Sequence, residues 1–120
     1  MNNKQNNLYN KTKWDFKNIS NYFDEHISKS FIRYNDLQNE IGKLSQWFIN
    51  TNSIIYNFGC STCETEIHIL KNNSCKMEIN AIDNNKSMLD VGKKKLNKYM
   101  KKNVKINFIN KNVEKVNIKK

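Results

Sequence analysis

A chain of 120 residues, 38% of them hydrophobic and with a net charge of +10, allows one domain with a modest core. No apolar run approaches the roughly 20 residues of a membrane-spanning helix, and the N-terminus lacks the apolar stretch of a secretory leader. Three cysteines, an odd number, argue against a disulfide framework and for a reducing, cytoplasmic setting.

Residues 1–19 begin MNNKQNNLYNKT, polar, Asn-rich and without period, and read as a disordered arm ahead of a domain over 20–120. Asn, Lys and Ile have A/T-rich codons, so base composition accounts for part of the Asn and Lys content. Phe23, Ile27 and Phe31 share one face and predict a helix over 20–32. A second helix is predicted from Asp36 to Ile49. Leu37, Ile41, Leu44 and Phe48 form its buried side, Trp47 lies beside them, and Asn35 is the N-cap. Residues 53–58 read as a strand and Gly59 as its turn. A helix follows over Thr62–Lys71, with Ile67 and Leu70 facing inward.

Residues 76–82 predict a second strand, ending at Asp83. Asn84 or Asn85 caps a third core helix over Lys86–Lys101, whose apolar members are Met88, Leu89, Val91, Leu96, Tyr99 and Met100. Residues 104–109 form a third strand with Val104, Ile106 and Phe108 on one face. Two helices followed by β-α-β-α-β predict an α/β fold with parallel strands and right-handed crossovers. This is one mononucleotide-binding half of a doubly wound sheet. The sheet is expected to be incomplete, with an open apolar edge at its first strand that a second copy or a completing chain would cover.

Ligands of such half-sheets sit at the carboxyl ends of the strands. Three tips meet there. Gly59-Cys60-Ser61 lets the backbone approach a ligand beside a helix start. Asp83, ending the second strand, can accept both hydroxyls of a ribose, or can serve as a helix-capping acid. Asn112-Val113, beyond the third strand, can meet an adenine edge through a side-chain oxygen and a backbone amide. Together they describe an adenosine pocket, although the loop lacks the full G-x-G-x-x-G pattern.

Cys60-x-x-Cys63 also has the spacing of a redox pair or half a zinc site. Cys75 and His68, the nearby candidates for further ligands, fit no common zinc spacing, and the chain has no proline to support a thioredoxin-like reading. Small residues tolerated in a tight loop are the simpler account, so no metal is assigned. His26, after Asp24-Glu25, fits a surface helix of mixed charge. Lys93-Lys94-Lys95 and Lys101-Lys102 fit a solvated helix side, and the same excess charge attracts polyanions, so tRNA stays open as a partner.

The segments YFDEHISKSFIRYNDLQNEIGKLSQWFI, IYNFGCSTCET, INAIDNNKSML and INFINKNV together resemble class I S-adenosylmethionine-dependent methyltransferases. They are most similar to the group of carboxy-S-adenosylmethionine synthase and its methyltransferase relatives, whose product serves modification of the tRNA wobble uridine. The resemblance covers residues 20–118 and implies a Rossmann-like class I methyltransferase fold, of which this chain is the N-terminal half. It implies S-adenosylmethionine, or its carboxylated form, as cofactor. By position, Tyr34 would contact the methionine part, and Asn57, Gly59, Cys60 and Ser61 would form the cofactor loop. Asp83, with Asn84 beside it, would hold the ribose, and Asn112 and Val113 would meet the adenine.

Three positions depart from the family pattern. Asn57 replaces an acid, Cys63 a glycine, and Asn112 an Asp. The chain also ends before a fourth strand, which implies a truncated or split enzyme. No residue is assigned as a general base, so catalytic residues stay unknown. A non-catalytic remnant or interaction module, and a basic RNA-associated accessory domain, are the alternative functions.

Overall fold

A computed structural model describes residue 20 and residues 22–119, so the arm expected over 1–19 lies outside the described residues. The element order is α1 (Phe23–Ser30), α2 (Tyr34–Ser45), β1 (Ser53–Phe58), α3 (Glu64–Asn72), β2 (Met77–Asp83), α4 (Lys86–Leu96) and β3 (Val104–Asn110). A short 3-10 turn, Val113–Lys115, follows β3. The strands form a three-stranded parallel sheet in the order β1-β2-β3. This is the α/β, Rossmann-like half-sheet expected from the alternation of elements, and it is partial.

The core lies on one sheet face. Ile79 and Ala81 from β2 and Val104 from β3 pack with Ile67 and Leu70 of α3 and Leu89 and Leu96 of α4. Ile106 and Phe108 join them from the face expected for β3. Asn85 caps α4, its side-chain oxygen accepting from the Met88 amide at 3.3 Å. That helix ends at Leu96 rather than Lys101. Beyond it the chain turns, Tyr99 donating to the Leu96 carbonyl, and Lys101 becomes a cap for α3 instead. Its ammonium donates to the Leu70 and Asn73 carbonyls at 2.5 and 2.7 Å, where the negative helix end favours a cation.

The opposite face carries a polar ladder. The Asn107 amide donates to Glu78 at 3.0 Å and to Asn80 at 2.9 Å. The Lys119 ammonium reaches Glu78 at 3.0 Å, and its backbone amide donates to the Tyr56 hydroxyl at 2.8 Å.

The two N-terminal helices differ from expectation. Helix α1 ends at Ser30 and buries no residue fully. Helix α2 starts at Tyr34, so Asn35 lies inside it and is not its cap. Arg33 takes that place in a left-handed conformation (φ 66°), which reverses the chain after the Tyr34 amide bonds to Phe31. The Arg33 guanidinium then meets Asp36 in the first turn at 3.2 Å.

The expected buried side of α2 is largely exposed. Leu37 and Leu44 are each 48% exposed, Phe48 77% and Trp47 80%, while Ile41 is half-buried. Gln38 and Gly42 are buried instead, because α2 packs on α3 through its small and polar positions. A Cβ at Gly42 would lie 2.6 Å from Asn72 Nδ2 and 2.8 Å from the His68 carbonyl oxygen, so only glycine allows this crossing. Gln38 accepts from Thr65 at 2.8 Å across the same interface.

Candidate functional site

The loop after β1 is built on β2. The Gly59 and Cys60 amides both donate to the Ile82 carbonyl, at 2.8 and 2.9 Å, with Gly59 at φ 72°. Ser61 (φ 51°) and Cys63 (φ 61°) also hold left-handed backbone, at a cost of about 1–2 kcal/mol each. Cys63 turns its side chain fully inward from this left-handed position. Gly92 on α4 makes room for it: a Cβ there would lie 2.6 Å from the Cys63 Sγ.

Asp83 joins the loop to the start of α4. One carboxylate oxygen accepts the Ser61 amide at 2.9 Å and the other the Asn85 amide at 2.8 Å. Each oxygen retains a further lone pair, so the carboxylate that orders the loop can still accept from a ligand. A cavity of about 330 Å³ lies beside it, at the carboxyl ends of the strands. Gly59, Asp83, Asn84, Asn112 and Val113 line it together. Its size falls at the lower end of small-molecule pockets. Lys111 and Glu114 also line it and were not singled out in the sequence, where neither residue type carried a motif.

Asn57, Cys60, Ser61 and Tyr34 are not part of the wall of this cavity. Asn57 points from β1 toward α3, its amide donating to Glu66 Oε1 at 2.8 Å. An acid at position 57 would oppose that carboxylate directly, so the Asn suits its buried neighbour. Glu66 is completely buried, and burial pushes its pKa up to about 7 against the lowering effect of the Asn57 bond. Cys60 turns its side chain into the core. Tyr34 stands half-buried at the start of α2, edge-on to Phe31 with ring centroids 6.4 Å apart. Burial raises its pKa despite the hydrogen bond from Gln38.

Behind the loop an ionic network fastens α1 to the sheet domain. The Lys95 ammonium on α4 donates to Asp24 at 2.5 Å and to Glu64 at 2.8 Å, and the Thr62 hydroxyl donates to Asp24. Lys95, Asp24 and Glu64 come from three helices, and their separation in sequence left no local pattern to read.

A parallel β-α-β-α-β unit with a crevice at its strand ends, a glycine turn after β1 and an acid ending β2 defines a Rossmann-like nucleotide-binding half-sheet. The profile of the ubiE/COQ5 methyltransferase family matches residues 9–120. The chain belongs to that family, whose members are S-adenosylmethionine-dependent. No curated protein matches it. Among the described residues, no helix is long and apolar enough to cross a membrane.

Proposed function

We propose that this chain binds S-adenosylmethionine in the crevice at the strand ends and is the cofactor-binding part of a methyltransferase-like transferase. The observation that carries this reading is the gathering of Gly59, Asp83, Asn84, Asn112 and Val113 round one cavity in a member of this family. The Asp83 carboxylate accepts the ribose hydroxyls, with Asn84 beside it. Asn112 and the Val113 amide meet the adenine, and the loop Gly59-Cys60-Ser61 backs the amino-acid end. Asn57 ties β1 to α3 through Glu66, on either side of that loop, and Tyr34 approaches the methionine part from α2. The S-adenosylmethionine-binding domain is read over residues 20–120. Transfer in this class depends on holding the sulfonium methyl in line with a nucleophile, which is a task of positioning.

The finer reading is a link to carboxy-S-adenosylmethionine and to the tRNA wobble uridine. Support for it comes from the FDE segment at 23–25 with Tyr34 downstream, and from the net charge of +10. An odd cysteine count suits a cytoplasmic setting. The edge position of β1, with Ile54 and Phe58 exposed, suits pairing with a second copy or a completing chain.

Titration calorimetry with S-adenosylmethionine and S-adenosylhomocysteine tests the proposal. Both ligands are expected to bind one per chain, and Asp83→Asn to weaken them about tenfold or more, as the loss of a charged hydrogen-bond acceptor implies. Folded protein that binds neither ligand would leave the chain as an interaction module.

A further inference from the structure

The two loop cysteines meet Glu66 in a single buried cluster whose side chains do not line the nucleotide crevice. Cys60 is 6% exposed, and Cys63 and Glu66 are 0% exposed. The Sγ atoms stand 3.8 Å apart, and with one Glu66 oxygen all three donor atoms lie within 4.8 Å of one another. Glu66 Oε1 is satisfied by Asn57, but Oε2 is buried with no hydrogen-bond partner among the described residues. A buried carboxylate oxygen left in this state is strongly unfavourable, and a cation satisfies it directly.

We propose that Cys60, Cys63 and Glu66 bind a zinc ion as two thiolates and one carboxylate, with the fourth position taken by water or a small ligand. Two sulfurs at ~2.3 Å on a tetrahedral zinc stand about 3.8 Å apart, the separation these thiols already have. The donor set selects against magnesium and calcium, which take oxygen ligands, and favours a borderline ion. Cys63 is the N-cap of α3 and Glu66 lies in its first turn, and the fold brings their donor atoms within 4.8 Å of each other.

Charge balance is also met. Zinc displaces one proton from each thiol, and the resulting unit of one dication with three anionic ligands carries a net charge of −1. The positive charge of Lys95, which bonds Thr62 and Glu64 on either side of Cys63, favours the anionic forms of Cys63 and Glu66. The ion would tie the loop to α3, which accounts for two non-glycine residues, Ser61 and Cys63, being held in left-handed backbone.

Neither Cys75 nor His68, the candidates raised by sequence spacing, belongs to the cluster. Glu66 carries no sequence mark of a ligand, because the common zinc spacings are written in cysteine and histidine.

The test uses the full chain, reduced and freed of metal, with Co²⁺ as a spectroscopic probe and Zn²⁺ in competition with a chromogenic chelator. One equivalent of Co²⁺ is expected to give a thiolate-to-metal charge-transfer band with tetrahedral d–d bands, and Zn²⁺ to displace it. Calorimetry in buffers of different ionisation enthalpy is expected to find at least two protons released per zinc, one from each thiol, as thiol ligation requires. Glu66→Gln, which keeps the side-chain shape, should weaken zinc at least tenfold, and Cys75→Ser should leave it unchanged. A cobalt spectrum without the thiolate band, or undiminished affinity in Glu66→Gln, would overturn the site. These readouts need no S-adenosylmethionine, so they stand or fall apart from the cofactor reading.

Discussion

The α3–α4 side of the sheet and the α1–α2 pair carry similar apolar periodicity, yet they use it in opposite ways. In the first, Ile67, Leu70, Leu89 and Leu96 are buried against β2 and β3. In the second, the stripe of Leu37, Leu44, Trp47 and Phe48 stays largely exposed, and α2 is held by a glycine crossing and polar contacts. Periodicity says that a helix has an apolar side. It does not say that a surface exists to receive it.

The largest test of this contrast is a pair of truncations. Ile79→Ala, at a position with no exposure, should cost about 2–5 kcal/mol in urea unfolding, since transfer and cavity contributions add. Leu44→Ala should cost no more than about 1 kcal/mol, because its side chain is half in water. Equal losses would mean that the α2 stripe is covered in solution and would remove the distinction.

Next in size is Gly42→Ala. Helix propensity alone predicts a gain of about 1 kcal/mol. The added Cβ would meet the His68 carbonyl at 2.8 Å, a backbone atom that cannot step aside, and overpacking of this kind costs about 1–3 kcal/mol. A net loss with weakened α2–α3 packing is expected, and a more stable variant would show that the two helices are not so closely apposed.

Smaller still is Lys95→Met, which removes the ties from α4 to Asp24 and Glu64. Asp24 is 42% exposed, so solvent screens part of the interaction and roughly 1 kcal/mol is expected. Faster amide exchange across residues 23–30, with residues 64–72 little changed, would place that loss in the docking of α1. Uniformly faster exchange would instead make Lys95 part of the general core.

The sequence carries the β-α-β-α-β unit well because each element there has its own signal. The strand at 53–58 is a mainly apolar run ending at a glycine turn, the strand at 104–110 alternates apolar and polar residues, and Asn85 supplies the α4 cap. The three strand-end loops follow from that order, and Gly59, Asp83 and Asn112 share a cavity because parallel strands bring their carboxyl ends to one side. What local pattern misses is every contact made between distant segments. Asn57 with Glu66, Lys95 with Asp24, and Gly92 with Cys63 each join residues from different elements. The Arg33 turn escaped for another reason, since a left-handed arginine has no compositional mark.

The central claim, that the strand-end crevice is the cofactor site, is tested most directly by hydrogen exchange with and without S-adenosylmethionine. The account predicts slowed exchange in residues 59–63, 83–85 and 111–114, with the exposed segment 44–48, at and just beyond the end of α2, unchanged. Protection confined to the α2 segment, or no change at saturating ligand, would contradict it.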